Sequence, residues 1–233
     1  MSKRSRLILL TAVVLAMCIP GSAATLGTFT MTGIVTVSAN SITWASDLPP
    51  NLADQFTLSL GTGIYATENG QNHVSNLSSA TEPVGTTFAA QPFISFLVNP
   101  SVSPLLINFI NPGIYTSAQC ATTPAAAGQQ CTLAGSPFNF VNNTSTSSTA
   151  TWNFAGVTAD GNAWSAIFTS QFATQNYQQV LASLAGVGAV TNGYSAAEVT
   201  VSSPVPEPGP LSTVSLGAGL LMLSLSIRKY RRS

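Results

Sequence analysis

The chain has 233 residues, of which only 6% are charged, and its seven basic and seven acidic residues give a formal net charge of zero. Charged residues make up about 25% of typical globular proteins, so solubility here depends on Ser, Thr, Asn and Gln. The segment from Leu7 to Ile227 contains no Lys or Arg and so cannot neutralise phosphate groups. This argues against a nucleic-acid partner and against lysine-based catalysis. All the basic residues lie within the first six or the last six positions, namely Lys3, Arg4, Arg6, Arg228, Lys229, Arg231 and Arg232.

Residues 1–24 predict a secretory signal peptide. After the first basic cluster, an apolar run from Leu7 to Ile19 ends at Pro20-Gly21 and is followed by small residues. This run is shorter than the roughly 20 residues that a membrane-spanning helix needs, which favours a cleaved signal over an anchor. We expect cleavage after Ala24 and export of the rest of the chain.

Residues 25–203 predict one exported, mainly β domain. From Phe29 to Val37 apolar residues alternate with threonines, as in a half-buried strand. Many strands separated by turn residues are typical of a sandwich or barrel, and we expect an antiparallel β-sandwich or jelly-roll-like domain. Shorter strand candidates are Ser41–Ala45, Phe56–Leu60, Thr86–Ala90, Phe93–Val98, Leu105–Ile110 and Pro137–Val141.

The domain between the two ends is acidic. It contains no basic residue, so its net charge is near minus six although the whole chain is neutral. Such a surface is unfavourable for DNA, RNA and anionic lipid. The acidic residues are Asp47, Asp54, Glu68, Glu82, Asp160 and Glu198.

Cys120 and Cys131 are the two cysteines of the exported part. An even number of cysteines in an exported chain predicts a disulfide, here closing the loop from Ala121 to Gln130. A metal pair or a cysteine nucleophile would lack partners, because His73 is the only histidine in the chain.

The segment from Thr149 to Phe172 predicts a β-hairpin around Asp160-Gly161. Loop length decides which side chains share a face, because a shift of one residue turns every side chain to the other side. A two-residue loop would mix the faces, so we predict a three-residue loop, Ala159-Asp160-Gly161, with Gly161 left-handed. The resulting apolar face would consist of Trp152, Phe154, Trp164, Ala166 and Phe168.

One short helix is predicted over about residues 176–185. Asn176 can cap it with Gln179 three residues later, and Gly186 follows as a terminator. After the helix, Asn192-Gly193 is expected to turn the chain into a last strand from Tyr194 to Ser202. The helix would pack through Tyr177, Val180, Leu181 and Leu184, which fall on one face.

Residues 204–233 divide into three parts. Val205-Pro206-Glu207-Pro208-Gly209 is followed by an uncharged apolar run at 211–227, and a basic tail occupies 228–233. A helix of 17 residues at 1.5 Å per residue reaches about 25 Å, enough for a membrane of about 30 Å with help from the flanking residues. The cationic tail, Arg228, Lys229, Arg231 and Arg232, would stay on the cytoplasmic side.

This tail resembles the PEP-CTERM sorting signal over its whole length of about 29 residues, from Val205 to Ser233. The resemblance implies that an exosortase-type membrane protease recognises Pro206, Glu207 and Pro208 and removes the tail, in a bacterium that makes exopolysaccharide. The two prolines would hold the backbone extended at the recognition site. The domain itself is only loosely similar to other PEP-CTERM cargo, Ser/Thr-rich and all-β, and that similarity specifies no activity.

Few residues are suited to catalysis or to metal binding. His73 lies in a polar, turn-rich stretch, and Asp47 and Asp54 flank Pro49-Pro50, which favours loop positions over a catalytic pair. No Asp-rich calcium loop occurs. We therefore predict no enzyme activity, no catalytic or metal-binding residue and no cofactor.

The leading interpretation is a structural or interaction protein of the bacterial envelope or extracellular matrix. It would associate at least transiently with the membrane and then reach the cell surface or matrix, where exopolysaccharide is a candidate partner. The alternatives are a secreted carbohydrate-binding module, which needs exposed aromatic side chains such as Trp44 with Tyr65 or Tyr115, and a secreted hydrolase.

Overall fold

The computed structural model describes residues 24–203, which contain twelve β-strands and one α-helix. Two short 3-10 turns, Gly63–Tyr65 and Ser117–Gln119, lie in the connections. Within this range no helix is both long enough and apolar enough to cross a membrane. The strands are β1 Thr25–Ser38, β2 Ser41–Ala45, β3 Gln55–Ser59, β4 Gly70–Val74, β5 Leu77–Ser78, β6 Gln91–Ser95, β7 Leu105–Ile110, β8 Gln130–Cys131, β9 Asn139–Thr144, β10 Ser147–Thr158, β11 Ala163–Phe172 and β12 Ala189–Ser202, and the helix is α1 Tyr177–Val187.

Eight antiparallel strands close into a barrel. Going round it, β10 is followed by β11, β12, β1, β3, β4, β6 and β7, and β7 pairs again with β10. The mainly β fold with one helix is confirmed, but the sheet closes on itself where we expected the two separate sheets of a sandwich or jelly roll. Closure satisfies the backbone groups at both edges of the sheet, which an open arrangement would leave exposed.

Two long strands each carry two neighbours on one edge. β1 pairs with β3 through Thr30–Thr32 and with β2 through Ile34–Val37. β10 pairs with β7 through Phe154–Thr158 and with β9 through Ser147–Thr151. The β2 and β9 branches therefore splay away from the barrel and leave space between them at one of its ends.

The first and last strands of the barrel lie side by side. β1 pairs with β12 from Thr25 opposite Ser202 to Ser38 opposite Ala189. The two ends of the domain consequently meet at one end of this pair, and the β1–β2 turn meets the start of β12 at the other.

Inward-facing aromatic side chains fill the barrel. The predicted hairpin is confirmed, because Gly161 is left-handed at φ 89° and Trp152 pairs with Phe168 as a three-residue loop requires. All five residues of the predicted apolar face are buried. The Trp152 and Phe168 rings stack with centroids 5.6 Å apart. Burying a side chain of this size contributes about 1.5–3 kcal/mol, so the hairpin is a major part of the core.

Several predicted elements need correction. Thr86–Ala90 is not a strand, and Gly85 just before it is left-handed at φ 77°. The segment lies beside β7, to which it makes isolated backbone hydrogen bonds such as that from Phe88 N to Asn108 O. The prediction of a turn at Asn192-Gly193 is also wrong, because both residues lie inside β12. They pair there with Val35 and Ile34 of β1, and this pairing outweighs their turn propensity.

The helix has the predicted N-terminus and extends slightly further than expected. The Asn176 side chain accepts a hydrogen bond from Gln179 N, and Gln179 caps Asn176 N in return. The left-handed terminator is Gly188 at φ 85°, two residues after the expected Gly186. Three strand predictions are shifted by a few residues: the strands are Gln55–Ser59, Gln91–Ser95 and Asn139–Thr144.

Candidate functional site

The predicted pairing of Cys120 with Cys131 is confirmed, since the two sulfurs are within bonding distance and the Cα atoms are 5.0 Å apart. Cys120 ends the 3-10 turn at Ser117–Gln119, and Cys131 belongs to β8. The disulfide therefore attaches the connection after β7 to the β8–β9 branch. Cys131 is fully buried in the core cluster.

A network of amides holds α1 against this branch. Asn142 of β9, only 1% exposed, accepts a hydrogen bond from Tyr177 N at 2.8 Å through its Oδ1. Its Nδ2 donates to Gln178 Oε1 at 2.9 Å and to Gln129 Oε1 at 3.2 Å. The Tyr177 hydroxyl donates to Gln119 O, next to the disulfide, at 2.8 Å. These bonds fix the start of the helix without any charged group.

The helix covers part of a pocket at one end of the barrel. The pocket has a volume of about 350 Å³ and is partly open to solvent. It lies where β1 and β7 end and β12 begins, between the splayed branches and the segment at 133–138. Apolar side chains make up most of its wall, including Ile42, Leu77, Phe138, Trp152, Val180 and Leu181.

Within residues 24–203, one carboxylate lines the pocket. Glu82 is 5% exposed, and its two oxygens accept hydrogen bonds from Ser78 N and from Gln91 Nε2. Elsewhere in the lining, Asn192 Nδ2 donates to Ser170 Oγ at 2.9 Å, and that hydroxyl donates to Gly193 O at 2.8 Å. These polar side chains therefore have partners of their own, and the pocket wall is mainly apolar.

The acidic candidates from the sequence accept hydrogen bonds from different parts of the chain. Asp47 accepts a hydrogen bond from the Thr57 hydroxyl at 2.6 Å, whereas Asp54 accepts one from Asn76 Nδ2 at 2.5 Å. His73 lies in β4, opposite Gln55 of β3. Among residues 24–203 no three His, Cys, Asp or Glu side chains come together in a way that could hold a metal ion.

The aromatic platform needed for sugar stacking is missing among the candidate residues. Trp44, Trp152 and Trp164 are 2%, 1% and 3% exposed, and Tyr65 is fully buried. Tyr115 is half-buried. All three tryptophans contribute to the core, which removes the main support for a carbohydrate-binding module.

Most of the residues predicted to direct export and sorting lie outside the described residues. Ala24, the predicted cleavage position, is exposed directly before β1. The sorting motif Pro206-Glu207-Pro208, the apolar run at 211–227 and the basic tail lie outside residues 24–203, as does most of the signal peptide. Their predicted roles stay predictions.

No protein-family model, curated protein or solved structure matches the chain. A functional assignment therefore depends on the geometry of the domain and on the sequence patterns at its two ends. The sequence showed the apolar face of the helix but not the pocket beneath it. That pocket is formed by segments up to about 150 residues apart, from Val35 to Val190, and no local pattern indicates their meeting.

Proposed function

We propose that this protein is an exported component of a bacterial envelope or extracellular matrix, with a structural or interaction role. The observation that carries the proposal is the C-terminal arrangement of Pro206-Glu207-Pro208, an apolar run and a basic tail. An N-terminal signal peptide accompanies it, and no Lys or Arg lies between the two ends. Routing to and through a membrane explains why basic residues occur only beside the two apolar runs.

Properties of the domain support an extracytoplasmic location. A disulfide such as Cys120–Cys131 persists in oxidising compartments and is rare in the cytosol. The closed sheet has few free edges, which limits aggregation of a domain whose surface carries few charges. The last described strand, β12, ends at Ser202, three residues before the predicted sorting signal begins at Val205.

The proposed partner in processing is an exosortase-type membrane protease that recognises Pro206, Glu207 and Pro208. The chain would stay in the membrane through residues 211–227 until the tail is removed, and would then reside at the cell surface or in the matrix. Exopolysaccharide is the proposed partner there. Because the three tryptophans are buried, that contact would rely on the hydroxyl and amide groups of the surface.

Mass spectrometry of protein recovered from the envelope and from the medium tests this proposal. We expect the native protein to lose both ends and Glu207→Ala to retain its tail and accumulate in the membrane. Pro210→Ala, in the same linker but outside the motif, is the matched control and should be processed normally. An unchanged mass and location of Glu207→Ala would refute the sorting role. The digest requires a protease other than trypsin, because residues 25–206 contain no Lys or Arg.

A further inference from the structure

The pocket at the end of the barrel is partly open to solvent and has room for much more than one water molecule. Protein interiors are filled at close to crystal density, and voids larger than a water molecule are few. A volume of about 350 Å³ lies within the range of small-molecule sites, which commonly occupy the mouths of barrels. An apolar wall such as that formed by Leu77, Phe138 and Leu181 gives water few hydrogen-bonding partners.

The charges around the pocket select against anions. Among the described residues, Glu82 is the only ionisable side chain in the lining, and residues 25–203 contain no Lys or Arg that could pair with a carboxylate or phosphate. Placing a second negative charge beside the buried Glu82 would be repulsive and would lack a compensating partner. Fatty acids and phospholipid headgroups therefore do not suit this site.

The same carboxylate can still receive a hydrogen bond from a ligand. An ionised carboxylate has about four acceptor positions, and Glu82 uses one on each oxygen for Ser78 N and Gln91 Nε2. A ligand hydroxyl within reach would use a position that is otherwise free. The remaining contacts would come from the apolar wall.

We propose that this pocket binds a small, largely hydrocarbon or aromatic molecule that carries a hydroxyl and no anionic group. Its apolar part lies between α1 and the end of the barrel, against Trp152, Val180 and Leu181. Its hydroxyl faces Glu82. This inference does not depend on the sorting signal or on where the protein finally resides.

Photo-crosslinking of the full chain with a diazirine-bearing long-chain 1-alkanol tests the proposal. After digestion with chymotrypsin, we expect labelled residues in the segments at 133–138 and 178–184. An excess of unlabelled 1-alkanol should suppress this labelling, whereas the alkanoate of the same chain length should not. Mapping by mass distinguishes the pocket from general partitioning of the probe into apolar segments elsewhere in the chain.

Two variants of α1 form a matched pair. Leu181 lines the pocket and Ala182 is exposed on the same helix. Leu181→Trp should fill the pocket and reduce labelling of the two segments about tenfold, corresponding to about 1.4 kcal/mol, while Ala182→Trp should leave it unchanged. Circular dichroism confirms that both variants are folded. Equal labelling in the two variants, or equal competition by alkanol and alkanoate, overturns the proposal.

Discussion

Gly156 and Trp164 lie opposite each other across the β10–β11 pair, and the glycine leaves the space that the indole occupies. A Cβ atom at position 156 would lie 2.6 Å from Trp164 Nε1 and would overlap Leu106 O. That carbonyl accepts a hydrogen bond from Trp164 Nε1 at 2.8 Å. The absence of a side chain at Gly156 thus allows a core tryptophan to satisfy its only polar atom across a third strand.

Gly156→Ala should lower the free energy of unfolding by about 3 kcal/mol or more, because the new methyl group displaces the indole and breaks its hydrogen bond. Urea unfolding followed by tryptophan fluorescence measures the loss. Gly186→Ala is the control, since Gly186 lies in α1 with no heavy atom near its added Cβ. It should stabilise the protein by about 0.5–1 kcal/mol. Similar destabilisation by both variants would contradict this account.

Trp164→Phe should destabilise the protein more than Trp152→Phe. Both indoles are buried, but Trp152 Nε1 has no hydrogen-bond partner in the described part of the chain, whereas Trp164→Phe leaves Leu106 O without its donor. Loss of a buried hydrogen bond adds about 1 kcal/mol to the cost of the smaller ring. Paired urea titrations of the two variants measure this difference. Equal losses would show that the bond to Leu106 contributes nothing.

Two tyrosine variants separate a bonded hydroxyl from an unbonded one. Tyr194 OH is buried and lacks a partner within residues 24–203, whereas Tyr177 OH donates to Gln119 O. Tyr194→Phe should therefore change the free energy of unfolding by less than about 0.5 kcal/mol or increase it, and Tyr177→Phe should lower it by about 1 kcal/mol. Thermal melts at neutral pH are sufficient. The opposite order would be inconsistent with the geometry.

Stability should fall at alkaline pH. Burial raises the pKa of Tyr65, Tyr177 and Tyr194 above the ordinary 10.0, and nearby Asp160 and Asp47 add to the shift at Tyr65 and Tyr194 respectively. The unfolded chain loses these protons first, so this contribution to stability is intact below pH 10 and decreases as the pH rises above it. Urea unfolding from pH 8 to pH 12 tests the window, and a Tyr65→Phe/Tyr194→Phe double variant should show a shallower decline. A free energy of unfolding that stays constant to pH 12 would contradict the prediction.

Removal of the disulfide should cost about 2–3 kcal/mol, as expected for closing a loop of ten residues. The double variant Cys120→Ala/Cys131→Ala is compared with the oxidised protein by thermal unfolding. Because Gln119 O accepts the Tyr177 hydroxyl, amide exchange in α1 should also become faster in the variant. A maleimide provides the control, since the oxidised protein without residues 1–24, and therefore without Cys18, should not react until it is reduced.

The sequence predicted those features whose signals are local. The hairpin from Thr149 to Phe172 was correct in register, because loop length and the alternation of aromatic residues together allow one arrangement. The N-terminal cap of α1 was predictable for the same reason, since Asn176 and Gln179 lie three residues apart. Each of these predictions used residues that are neighbours in the chain.

Features decided by distant strands were not predictable in this way. Asn192-Gly193 has the composition of a turn, but β1 pairs with both residues and extends the strand through them. Closure of the barrel likewise depends on β7 meeting β10, although 36 residues separate Ile110 from Ser147. The pocket follows from that closure, so no residue pattern indicated it.

The antiparallel pairing of the first and last strands places the start of β1 and the end of β12 at the same end of the barrel. Thr25 and Ser202 lie at one end of β1 and β12, while Val35 and Asn192 at the other end line the pocket. Ten residues of strand, about 30 Å, separate the two ends. The pocket and the last residue of β12 therefore lie at opposite ends of the same strand pair.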